Sequence, residues 1–157
     1  MSELRPLAYS LECIVKHMSS AFIQLSEIQE KLDELYFEKG ITLVKDIPIL
    51  QQLLDDSFLY LCELQRLSIL SSKSGTEESV LEKEKEIMLK IRYNIRKLRR
   101  ILQSVRLKLY EIPEIDNNWL FTYFEPDMIR LIGNLNEIEN HATEVISVID
   151  KRLSERS

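Results

Sequence analysis

The residues able to do chemistry here are few: two histidines, two cysteines, scattered carboxylates and one long run of arginine and lysine. A nucleophile works when a base sits beside it and a third group orients that base. His17 and His141 each lie inside a helical pattern, beside Met18 and Ala142, which suits a surface or half-buried side chain. Neither belongs to an H-E-x-x-H arrangement, and Cys13 and Cys62 lie far apart with no ligand spacing, so no zinc motif can be read. A diiron bundle needs glutamate three residues before a histidine; Ile14 and Ile138 hold those places. Pairs such as Asp55-Asp56 and Glu77-Glu78 point about 100° apart on a helix and do not converge on one atom. No glycine-rich phosphate loop occurs. The sequence therefore predicts no catalytic, metal-binding or cofactor-binding residue, and a protein that is not an enzyme.

The basic run is the remaining candidate. From Ile87 to Tyr110 no acidic residue occurs, while Lys90, Arg92, Arg96, Lys97, Arg99, Arg100, Arg106 and Lys108 are all basic. Arg92, Arg96, Lys97, Arg99, Arg100 and Arg106 form a candidate anion site, for nucleic acid or an anionic membrane surface, with a salt-sensitive contact. The competing reading, preferred here, pairs these arginines with protein carboxylates. The first helix offers Glu27, Glu30, Asp33 and Glu34. The net charge of −5 argues against nucleic-acid binding by the whole surface.

The element that carries this charge has the most regular apolar repeat of the chain. Leu81, Met88, Ile95, Leu102 and Leu109 occupy one seam position; Glu84, Ile91, Leu98, Val105 and Ile112 occupy the other. Spacing that averages 3.5 residues keeps one stripe facing a packed neighbour. At about 1.5 Å per residue such a helix is roughly 48 Å long, against a radius of gyration of about 15 Å for a compact chain of this size. An elongated arrangement follows.

Three further helices are expected. The first spans about 7–38, with a seam of Leu11, Ile14, Met18, Ala21, Leu25, Ile28, Leu32 and Leu35. The second, about 46–70, is apolar nearly all round at Phe58-Leu59-Tyr60-Leu61-Cys62 and should be the most enclosed. The third, about 76–112, is the basic one. The fourth, about 126–153, opens at Pro126 and runs through Met128, Leu131, Leu135, Ile138, Ala142, Val145 and Ile149. Gly133 on this last helix is expected to admit a close neighbour. Ile41–Val44 reads as an extended connector, and Ser71-Ser72-Lys73-Ser74-Gly75 as a loop, with Ser74 and Glu77 forming a capping box. Pro113 must interrupt the basic helix. Trp119 to Phe124 then reads as an aromatic loop, plugging one end of the bundle or docking a partner.

Composition agrees. Apolar residues make up 45% and charged residues 30%, with three glycines and four prolines in 157 residues. That leaves little material for the turns of a β or mixed fold. The predicted fold is all-α: one domain, 1–157, built as an elongated antiparallel four-helix bundle with coiled-coil-like heptad seams. The cysteines read as buried, reduced thiols. The amino terminus lacks the apolar core of a signal peptide, and no stretch is long and apolar enough to span a membrane. The chain reads as nuclear or cytoplasmic.

The stretch from Ile91-Arg92 to Ile112-Pro113-Glu114-Ile115-Asp116, followed by another helix, resembles small subunits of large nuclear assemblies. Subunit nine of the Mediator middle module and small inner-kinetochore subunits are of this type. The resemblance covers about residues 81 to 153. It departs from the pattern in having Glu114 where aspartate is usual and in inserting Trp119 to Phe124. It implies a structural subunit in the nucleus, without an active site, bound to other helical subunits. The partner-binding residues expected are Ile91, Ile95, Leu98, Leu102, Val105 and Leu109 on the seam, with Trp119, Phe121, Tyr123 and Phe124 from the aromatic segment. Leu98→Asp or Leu102→Asp is then expected to break assembly with other subunits, or self-association.

Overall fold

A computed structural model of the chain describes residues 4–39, 47–74 and 78–156, and side chains over 9–38, 48–66 and 78–155. All described elements are helical. α1 spans Leu4–Lys39, α2 Ile47–Ser74, α3 Glu78–Glu111, α4 Asn117–Trp119 and α5 Glu125–Arg156. A π-helical segment, Leu120–Phe124, joins the last two. The bundle is all-α with four long helices running up-down-up-down.

The seams dictate the packing. The apolar stripe of α1 from Ile14 to Leu35, that of α3 from Leu81 to Leu109 and that of α5 from Met128 to Ile149 are buried together in one continuous core with Leu50, Leu54, Leu61 and Leu64 of α2. Each buried leucine or isoleucine stabilises the fold by about 1.5–3 kcal/mol relative to exposure. α5 packs extensively against both α1 and α3, and α2 against α3, while α1 and α2 approach each other over a much shorter contact. Phe22 and Phe58 mark that contact, edge to face with ring centroids 5.8 Å apart. α5 is therefore the most enclosed helix. The expectation that α2 would be is corrected: Leu59, Cys62 and, in part, Phe58 face outward, because α2 has only one extensive neighbour. Cys62 is accordingly exposed and Cys13 half-buried, both free, rather than the buried thiols expected.

Several boundaries also move. Residues 71–74, expected in a loop, continue α2. The expected connector 41–44 and the capping partner Glu77 lie outside the described residues. Gly133 has nothing within 4 Å of where a Cβ would stand. The close approach expected there does not occur, so this glycine costs the helix about 1 kcal/mol relative to alanine with no packing return.

The aromatic segment is the largest correction. Pro113 ends α3 as expected, through a tight turn in which the Ile115 N–H donates to the Ile112 carbonyl at 3.3 Å. Asp116 then caps a new helix, its Oδ1 accepting from the Asn118 N–H at 3.2 Å. From Asn117 the chain stays helical through Trp119–Phe124 into α5. Pro126 sits inside this continuous helix, where its missing N–H and its ring clash with the preceding turn ordinarily cost about 3 kcal/mol. The wider π turn relieves that conflict: the Glu125 N–H reaches back to the Leu120 carbonyl, five residues away. Pro126, expected to open the last helix, stands inside a helix already under way.

Glu84 holds the one polar seam position of α3 and is only 5% exposed. Burial raises its carboxyl pKa, with the Arg152 charge pulling the other way. A carboxyl whose folded pKa exceeds its unfolded one is tolerated best below the unfolded value and destabilises progressively as pH rises through the folded value. Glu84→Leu is therefore expected to raise the urea midpoint at pH 7, by roughly 1–3 kcal/mol of stability. The gain should shrink as pH falls through the carboxylate range. A variant less stable than wild type at pH 7 would show that the Arg152 attraction outweighs burial.

Candidate interaction surface

The basic run of α3 sorts into two faces. One turns toward α5. Arg96 Nε lies 2.5 Å from Glu139 Oε2, and Arg99 reaches Asn136 Oδ1 at 2.7 Å and Glu139 Oε1 at 3.1 Å. Arg106 pairs with the buried Glu125, which also accepts from the Tyr110 hydroxyl at 3.0 Å. Arg92 makes a long contact, 3.4 Å, to Thr143 Oγ1. Burial alone would raise the Glu139 pKa, but hydrogen bonds and charge from Arg99 and Arg96 outweigh it, and the net shift is downward. The carboxylates that neutralise α3 thus sit on α5, not on α1 as expected. The reason is topological: in an up-down-up-down bundle α1 and α3 are diagonal, with α5 between them.

The second face of α3 looks outward. Leu89, Arg92, Tyr93, Arg96, Lys97 and Arg100 line a shallow groove of about 390 Å³. Of the six candidate anion ligands, only Lys97 and Arg100 lack a partner among the described residues. Two charges are a small footprint for nucleic acid: a contact neutralising Z phosphates of duplex DNA gives a salt slope of about −0.9Z.

The expected partner-binding seam is not a surface. Ile91, Ile95, Leu98 and Leu109 are 0% exposed, and Leu102 and Val105 1%. They face the core of their own chain, which corrects their assignment to a partner. The aromatic segment divides. Phe124 is fully buried and Trp119 partly, whereas Phe121 and Tyr123 are exposed. Trp119 lies 5.3 Å from Tyr123 and 6.3 Å from Phe124, centroid to centroid.

What the sequence did not show is that this segment faces the carboxyl end of α1. Glu34, Leu35 and Glu38 of α1 line a pocket of about 240 Å³ together with Ile115, Asp116 and Trp119. Three carboxylates thus stand around an apolar floor that includes an indole. Tyr36 and Phe37, paired edge to face at 5.4 Å, are exposed on the same turn of α1. Lys31 fastens the two elements: its ammonium donates to the Tyr123 carbonyl at 2.6 Å, pairs with Asp127 and lies 4.1 Å over the Tyr123 ring. No known protein family, curated protein or solved structure matches this chain. Its own surface is what bears on function. Among the described residues, no helix is long and apolar enough to cross a membrane.

A signal for this end was present in sequence, since Tyr36-Phe37 and Trp119 to Phe124 are the densest aromatic runs. That the end of α1 lies against Ile115, Asp116 and Trp119 was hidden, because only the reversal at Pro113 and the antiparallel pairing of α1 with α5 bring these elements together.

Proposed function

We propose that this chain is a non-catalytic helical subunit that binds another protein at the aromatic end of the bundle. The occupant is a helical segment presenting arginine or lysine beside apolar residues. The observation that carries this is the pocket in which Glu34, Glu38 and Asp116 surround Leu35, Ile115 and Trp119, on two elements that also expose Tyr36, Phe37, Phe121 and Tyr123. A cation over an aromatic face gains about 0.5–2 kcal/mol, and charge-assisted hydrogen bonds to carboxylates add direction. The chain already uses this chemistry internally, with Lys31 over Tyr123. Aromatic anchors with a charged partner are the usual make-up of an interface hot spot. The resemblance to small Mediator and kinetochore subunits supplies the setting: a multisubunit nuclear complex.

The test is affinity purification of the tagged chain beside its Glu34→Lys/Glu38→Lys and Phe121→Ala variants, with cross-linking to map the contact. The expected result is a partner whose recovery falls at least about tenfold in each variant, a loss of about 1.4 kcal/mol or more. Its cross-links should run from a basic segment to residues 34–38 and 115–123, while helicity and melting stay at wild-type values. Full recovery by the variants, or cross-links confined to α3, would sink the reading. The second case would favour the Lys97–Arg100 groove, whose nucleic-acid binding should then be measurable at low salt.

A further inference from the structure

His17 and His141, silent in sequence, face each other across the α1–α5 interface. Their rings are near-parallel, 20° apart in plane, with centroids 6.2 Å apart. Glu137, one turn before His141, joins them: one ligand atom from each of His17, Glu137 and His141 lies within 4.8 Å of the other two. We propose that these three residues bind a divalent transition-metal ion of the zinc class, tying the first long helix to the last.

The donor set selects the ion. Two imidazole nitrogens and one carboxylate oxygen suit zinc and its borderline neighbours, whereas calcium and magnesium take oxygen ligands. Zinc holds nitrogen and oxygen at about 2.0–2.2 Å, so the donors must close by roughly an ångström around it. The Glu137 side chain is 52% exposed and belongs to no other ion pair among the described residues; rotation about its own bonds can bring its carboxylate toward the two rings.

Each histidine also has the second group that metal-bound imidazoles require. His17 Nδ1 lies 2.9 Å from Asn134 Oδ1, and Asn134 is itself oriented by donating from Nδ2 to Gln24 Oε1 at 2.6 Å. With its proton on Nδ1, His17 offers Nε2 as the ligand. His141 stands between two carboxylates: Nε2 is 3.8 Å from Glu137 and Nδ1 3.6 Å from Glu144. Both distances exceed a hydrogen bond. His141 Nδ1 is buried without a hydrogen-bond partner, in a side chain only 15% exposed. Metal on Nε2 would fix the proton on Nδ1 and point it at Glu144, which the Ser10 hydroxyl already holds at 3.3 Å. The result is a carboxylate–histidine–metal relay on one side and an amide–histidine–metal relay on the other. Three protein ligands leave a further position open to water.

The experiment is titration of the metal-free chain with zinc by calorimetry and with cobalt by visible absorption, with and without a chelator. One equivalent per chain is expected, together with a rise in melting temperature that the chelator reverses. His17→Gln and His141→Gln should each abolish binding, and Asn134→Ala should weaken it about 10–100-fold. If a histidine variant melts abnormally, Glu137→Gln decides, since its exposed side chain can change without disturbing the core. No uptake by wild type, or uptake unchanged in Glu137→Gln and either histidine variant, overturns the proposal.

Discussion

Leu98→Asp is expected to unfold the chain, not merely to detach it from other subunits. Leu98 is 0% exposed in the middle of α3, with the α5 and α2 seams packed on it. The substitution removes about 1.5–3 kcal/mol of apolar burial. It also leaves a carboxylate in the core without a partner, at a cost of several kcal/mol more or a protonation that costs comparably. Domains of this size hold about 5–15 kcal/mol in total, so the two effects together consume most of the margin. Leu107→Asp is the matched control. It lies on the same helix, 64% exposed, and should change stability by no more than about 0.5 kcal/mol. Far-ultraviolet circular dichroism and urea denaturation of both variants check this. A Leu98→Asp chain with the wild-type midpoint would mean that the seam is open in solution and available to a partner, as the heptad reading first suggests.

The second large effect is at the junction where the chain re-enters the bundle. Phe124→Ala should cost about 3–5 kcal/mol, the usual range for a buried phenylalanine. Phe124 is fully buried at the end of the π turn and packs near Trp119, so its loss opens a cavity just where Pro126 already forces irregular geometry. For a chain of about this length, each kcal/mol lowers the melting temperature by about 2–4 °C, which makes the expected drop on the order of 10 °C. Phe121→Ala, three residues earlier and 70% exposed, should leave the melting temperature unchanged while impairing partner binding. The same hexapeptide thus carries one side chain for the fold and another for docking, and the two substitutions separate those roles. Equal melting temperatures for the two variants would show that the segment is not seated as described.

The histidine cluster and the acidic pocket share a property that kept both out of a linear reading. Each joins α1 to a segment about half the chain or more away, so no local spacing announces it. No local spacing links His17 to Glu137 and His141, and Glu34 reads only as one possible partner for the arginines of the basic run. Motif rules find ligands held by one helix or one loop. They do not find ligands assembled by the docking of two elements.

What the sequence determined by itself was the four long helices and the inward face of three of them, α1, α3 and α5. Four-three spacing of leucine and isoleucine settles which stripe avoids water, since the helical period is a property of the backbone. Pro113 with Asp116 likewise settles where α3 stops and the return begins. The sequence left open what covers each stripe. Ile91, Ile95 and Leu98 would look the same whether they faced a partner or their own chain, because the transfer of an apolar side chain out of water does not depend on whose atoms receive it. Only the tertiary structure decided that α5 lies between α1 and α3, and so gave the arginines Glu139 and Glu125 rather than the acids of α1. It also decided that Trp119 to Phe124 stays helical across a proline, because the π turn absorbs locally what helix rules would forbid. Core and charge pairing are non-local sums over packed neighbours, and the order of those neighbours is set by topology.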